Sequence, residues 1–193
     1  MPLDYSQRPL LVFWETTKAC PLSCRHCRAN AILKPLPGEL STDEGKRLIE
    51  QLPEFGKPIP VLILTGGDPL MREDIFELID YARSLNVPVA VSPTVSEKLL
   101  NDNVIEELRR VSSVSVSLDG ASPITHDYIR NRDGVFELTL KAISSLLKAG
   151  VKVQVNTTFM KLNVHELPLI VKGLKDLGVS SWEVFFLIHV GRG

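Results

Sequence analysis

Apolar positions along this chain fall into two alternating kinds of segment. Short runs rich in β-branched and aromatic residues, at 10–14, 61–64, 87–91, 114–117, 151–155 and 182–187, read as strands. Their near-continuous apolarity is the pattern of strands covered on both faces. Longer stretches between them repeat apolar residues at helical spacing. Ser41-Thr42-Asp43-Glu44 opens the first with the spacing of a capping box, and Leu48, Ile49 and Leu52 mark its apolar side. The spacing predicts further helices over 74–84, 97–110, 135–149 and 165–177, with Gly150 and Gly178 where helix stops belong. Strand–helix alternation at this pitch predicts an α/β fold of six units, with parallel strands joined by right-handed crossovers. A closed eight-unit barrel takes about 250 residues, so the 193 residues here point to an incomplete one or an open sheet. In either arrangement, ligand groups belong at the C-terminal ends of the strands.

Composition narrows the class. At 44% hydrophobic and 23% charged residues the chain reads as globular, and no linker or low-complexity stretch divides 1–193 into two domains. A net charge of −1 with scattered basic residues gives no surface for nucleic acid and no polybasic membrane patch. No stretch reaches the roughly 20 apolar residues of a membrane span, and positions 1–9 do not read as a signal peptide. The expected address is cytoplasmic. All three cysteines lie within eight residues, an odd number that cannot form a disulfide framework. Clustered thiols of this kind serve metal or redox chemistry.

Each polar or glycine-rich cluster follows a strand directly, and so falls on the expected ligand edge. Cys20, Cys24 and Cys27 form a C-x3-C-x2-C loop after the first strand. Iron–sulfur cubanes usually take four thiolates; three on one loop leave one iron open to a cosubstrate. A structural zinc on Cys20, Cys24, Cys27 and His26 is the alternative, although zinc ligands usually come as two separated pairs. Gly66, Gly67, Asp68 and Pro69 follow the second strand, where two glycines let a ligand approach the backbone. The same four residues also describe an ordinary tight turn.

The cysteine spacing together with the Gly-Gly-Asp-Pro turn resembles the radical S-adenosylmethionine (SAM) superfamily over nearly the whole chain. The resemblance implies a partial (β/α)6 TIM-like barrel. It also implies a [4Fe–4S] cluster on Cys20, Cys24 and Cys27, whose open iron is chelated by the amino and carboxylate groups of SAM. An external flavodoxin- or ferredoxin-like donor would reduce the cluster, and SAM would be cleaved to a 5′-deoxyadenosyl radical. By that resemblance Gly66, Gly67 and Asp68 receive the SAM amino group and Ser117 bonds the ribose, with Pro69 and Asp119 in the same cofactor-binding set. Arg130 pairs with the SAM carboxylate in a bidentate grip, with Arg132 as its rival. Asn156 occupies a polar SAM-contact position; Leu187 packs on adenine or in the core. His26 stands where relatives carry an aromatic residue. The phrases 13–17, 26–31 and 185–193 look like the branch that modifies porphyrin propionates of haem precursors, and peptide-modifying relatives share much of the pattern. Arg28 and Arg192 are then contacts for substrate carboxylates or surface charges. Relatives in this branch continue into a C-terminal domain with auxiliary clusters. Its absence from 1–193 reads as truncation.

Overall fold

The computed structural model describes residues 5–193, so the first four positions of the amino-terminal stretch assessed above lie outside it. Six strands form one sheet in sequential order: β1 (Leu11–Thr17), β2 (Val61–Gly66), β3 (Val89–Val91), β4 (Ser113–Ser117), β5 (Val153–Phe159) and β6 (Ser181–Phe186). Every neighbouring pair is parallel. Parallel strands added one after another in a single direction by right-handed crossovers place all connecting helices on one face. The sheet therefore curls as a barrel wall does. Among the described residues β1 and β6 are each paired on one side only, which leaves the barrel open between them.

The connecting helices are α1 (Thr42–Glu50), α2 (Ile75–Ser84), α3 (Asp102–Leu108), α4 (Pro123–Arg130), α5 (Val135–Lys148) and α6 (Leu167–Asp176). The expected capping box starts α1: the Ser41 side chain accepts from the Glu44 N–H, and the Glu44 carboxylate accepts from the Ser41 N–H. The core lies between sheet and helices. Leu62 and Leu64 of β2 and Val153, Val155 and Phe159 of β5 point outward to meet Leu78, Ile143, Leu146 and Leu174. Each such Leu→Ala change costs about 2–5 kcal/mol. Along β5, buried residues alternate with the half-buried Gln154, Asn156 and Thr158. The strands are thus apolar toward the helices and mixed toward the open interior, not sealed on both faces as their composition implied.

Two helix readings change. The helix expected over 97–110 begins only at Asp102, where the Asn101 side chain caps it by accepting from the Asn103 N–H; 97–100 forms turns. Helix α4 escapes apolar periodicity because its buried face carries polar residues. His126 and Asp127 are buried with Ile129, whereas Ile124 and Tyr128 point to solvent. Asp127 explains this, since its carboxylate accepts from the Gly134 and Phe136 N–H groups and caps the start of α5. Among the described residues, no helix is long and apolar enough to cross a membrane.

Candidate metal and cofactor site

A cavity of about 360 Å³ opens at the C-terminal ends of the strands, on the edge expected for ligands. Cys20, Cys24 and Cys27 all line it, together with Gly66, Gly67, Thr94, Ser117, Arg130, Thr158 and Leu187. All three thiols are free. The loop carrying them is pinned at its ends, where the Cys20 N–H donates to Ile32 O at 2.7 Å and the Ile32 N–H to Lys18 O at 3.0 Å.

The two glycines set the distance between this loop and the β2 turn. The Gly67 N–H donates to Thr17 O and the Asp68 N–H to Ala19 O, each at 2.7 Å. A Cβ on Gly66 would meet Thr17 O at 2.4 Å, and one on Gly67 would meet Ala19 O at 2.3 Å. The glycines are required by the backbone leading into the cysteine loop, whose approach brings thiols and turn to one cavity. Ligand access, the reason inferred from sequence, comes with that packing.

Each sulfur has a donor near it. The Leu22 N–H points at Cys20 Sγ and the Ala31 N–H at Cys27 Sγ, both at 3.4 Å, and Arg130 Nη1 lies 3.6 Å from Cys24 Sγ. Thr94 Oγ1 sits 3.4 Å from Cys20 Sγ. Burial pushes the Cys20 thiol up, against the Thr94 and Leu22 contacts, so a metal is needed to hold it deprotonated. Three thiols lining one cavity, each with a donor near its sulfur, fit an iron–sulfur cluster, whose ligands bind separate irons. They fit a closed zinc site poorly. Among the described residues no three His, Cys, Asp or Glu side chains are gathered for one ion, and His26 Nε2 lies 3.3 Å from Asp119 Oδ2.

Asp119 stands behind the cavity and does not line it. Its Oδ2 lies 2.8 Å from Arg130 Nη2, and its Oδ1 accepts from the Thr158 N–H at 2.8 Å. Burial alone would push its carboxyl up. The Arg130 guanidinium and His26 imidazole beside it outweigh burial and hold it well below the usual carboxylate range. The Asp119 N–H in turn donates to His126 Nδ1 at 3.0 Å. Burial, followed by the Arg130 charge, pushes His126 down to about 4, so its ring is neutral. Asp119 thus faces Arg130 and His26 from behind the cavity, and Arg130 reaches the lining.

Other expected contacts separate in the same way. Arg130 reaches the cavity, whereas Arg132 turns away and pairs with Glu97. Ser117 and Leu187 line it, and Leu187 is not core. Asn156 lies one inward-facing position before Thr158 and accepts from Gln154 Nε2, away from the lining. Arg28 sits on the rim, paired with Glu15. Among the described residues Arg192 neither lines the cavity nor forms an ion pair; its guanidinium donates to backbone carbonyls of the cysteine loop. Thr94 was missed, although its segment 92–96 is polar and follows the third strand.

Asp68 and Pro69 are buried and do not line the cavity. Asp68 Oδ1 accepts from the Leu70 and Thr94 N–H groups, which ties the β2 turn to the segment after β3. Burial pushes the Asp68 carboxyl up to about 6. The folded chain therefore binds this proton more tightly than the unfolded chain does. Stability is lost as pH rises from about 4 through 6 and regained as it falls. Asp68→Asn, which keeps the Oδ1 acceptor without the charge, is expected to add on the order of 1–3 kcal/mol above about pH 7. The gain should vanish near pH 4, as denaturant unfolding at the two pH values will show.

Residues 14–174 match the family described as the Radical SAM superfamily. The AdoMet-dependent heme synthase of Oleidesulfovibrio alaskensis is 42% identical over 98% of this chain and 48% of that protein. The Fe-coproporphyrin III synthase of Methanosarcina barkeri is 35% identical over 97% of this chain and 46% of that protein. Among solved structures, SuiB of Streptococcus suis bound to S-adenosylmethionine shares the fold with a TM-score of 0.81. That match covers 95% of this chain and 42% of that one, at 16% identity. The chain spans about half the length of the curated relatives it matches.

Proposed function

Because the chain belongs to the radical SAM superfamily, we propose that it is the catalytic core of an enzyme that modifies propionate side chains of a haem precursor. The observation that carries the reading is the single cavity shared by three free thiols, the Gly66-Gly67 turn and the Arg130 guanidinium. The [4Fe–4S] cluster and SAM, when bound, supply reductive cleavage of a carbon–sulfur bond and with it a radical able to take hydrogen from substrate. Cys20, Cys24 and Cys27 would hold the cluster. Arg130 presents a cation to a SAM carboxylate and is held in place by Asp119. Ser117 and the Gly66-Gly67 backbone offer the remaining polar contacts.

The substrate class rests on the haem-pathway relatives and on the cavity wall. Phe185, Phe186, Leu187, Ile188 and Val190 give that wall an apolar side, and Arg28 places a cation on the rim. An apolar ring bearing carboxylates matches both. The proposal extends to a flavodoxin- or ferredoxin-like electron donor and a cytoplasmic setting, where thiols stay reduced. It extends also to a further cluster-bearing domain in the enzyme that contains this core.

The test is anaerobic reconstitution with iron and sulfide, then SAM and dithionite. Formation of 5′-deoxyadenosine and methionine is expected. A chain that carries the cluster and leaves SAM intact contradicts the reading.

A further inference from the structure

Two of the three thiols hang on a stretch of backbone that no strand supports. Inside the loop, the Cys27 N–H donates to Cys24 O at 3.2 Å and the Asn30 N–H to Cys27 O at 3.4 Å, both long. Stronger support comes from far along the chain. The Arg192 N–H donates to Cys27 O at 2.9 Å. Its Nε donates to Cys24 O and its Nη1 to Ala31 O, each at 2.9 Å. One residue therefore satisfies carbonyls at Cys24, at Cys27 and beyond.

Gly191 makes this approach possible. Its φ is +63°, and a Cβ there would lie 2.3 Å from Cys27 O and 2.4 Å from Arg28 O. The planar guanidinium holds two carbonyls at once, which a lysine ammonium on a flexible stem cannot do in fixed geometry. Leu187, Ile188 and Val190 of the same segment line the cavity, so the clamp joins the apolar wall to the cysteine loop.

We propose that Arg192, seated by Gly191, is a positioning residue that fixes Cys24 and Cys27 for cluster binding. The inference rests on the cluster reading for its purpose, but the clamp itself is testable without a cluster. Cys20 is the internal control, because its sulfur is held separately by the Leu22 N–H and Thr94.

The experiment measures iodoacetamide labelling of each cysteine in the cluster-free chain by peptide mass spectrometry. In Arg192→Gln, Cys24 and Cys27 should label about tenfold faster, the factor for losing a charge-assisted hydrogen bond that limits loop opening. Cys20 should change little. Arg192→Lys should recover part of the protection, and Gly191→Ala should reproduce the selectivity. After reconstitution, Arg192→Gln should also release iron to a chelator faster than the parent chain. Equal gains at all three cysteines in both Arg192→Gln and Gly191→Ala, or no gain at any, overturn the proposal. Selective gains in the variants, together with a parent chain that binds no cluster on reconstitution, would uphold the clamp and count against the cofactor reading.

Discussion

Cys24→Ala is expected to leave a folded chain that binds no [4Fe–4S] cluster and forms 5′-deoxyadenosine only at background. The side chain is small and lies on a loop outside the main core, so circular dichroism should not change. The proposed cluster, by contrast, would lose one of the three cysteines proposed to hold it. This loss should exceed the roughly 10–100-fold typical of removing an outer partner of a metal ligand. Thr94→Val provides that comparison, because it removes only the hydroxyl 3.4 Å from Cys20 Sγ. Iron and sulfide content with the deoxyadenosine assay checks both. Retention of a full cluster by Cys24→Ala would mean that this thiol is not a ligand.

Asp119→Ala carries the largest expected cost in stability. Asp119 is 1% exposed, and Arg130, itself mostly buried, has its cation beside that carboxylate. Removing one member of a buried ion pair leaves the other uncompensated, at about 3–5 kcal/mol. The Thr158 N–H loses its acceptor in the same change. Against a typical total of about 5–15 kcal/mol, that is a large fraction. Asp119→Asn, which keeps an oxygen for Thr158, should cost less. In both variants Arg130 loses its anchor, so the SAM concentration needed for half-maximal cleavage should also rise. Denaturant unfolding measures the first effect and SAM titration the second. A cost below about 1 kcal/mol for Asp119→Ala would place the pair among weak surface bridges.

These two residues also show what a sequence discloses. The grouping of the three thiols was legible because cysteines close together on one loop need no tertiary information to share a cavity. The strands were legible because their outward faces are mostly apolar, Thr16 and Thr157 being buried exceptions, and the site edge followed from their parallel order. Asp119 was placed correctly after β4, but its ion pair with Arg130 and its absence from the cavity lining were not foreseen. A polar residue at a strand end announces itself, while its direction depends on Arg130 and His26 arriving from other elements. The same limit applies to Asp68, whose carboxylate serves Leu70 and Thr94 rather than a ligand. Helix α4 was hidden because its buried face is polar, which reverses the usual signal. Arg192 lies 168 residues from Cys24, and no local pattern joins a distant guanidinium to backbone carbonyls.

Three thiolates on one loop would leave one iron of a cubane open to SAM. Electron paramagnetic resonance of the reconstituted, dithionite-reduced chain tests it directly, with and without SAM. A reduced [4Fe–4S] signal that changes shape when SAM is added is the expected result. A bound cluster whose signal ignores SAM, or a colourless chain that retains zinc, would contradict it.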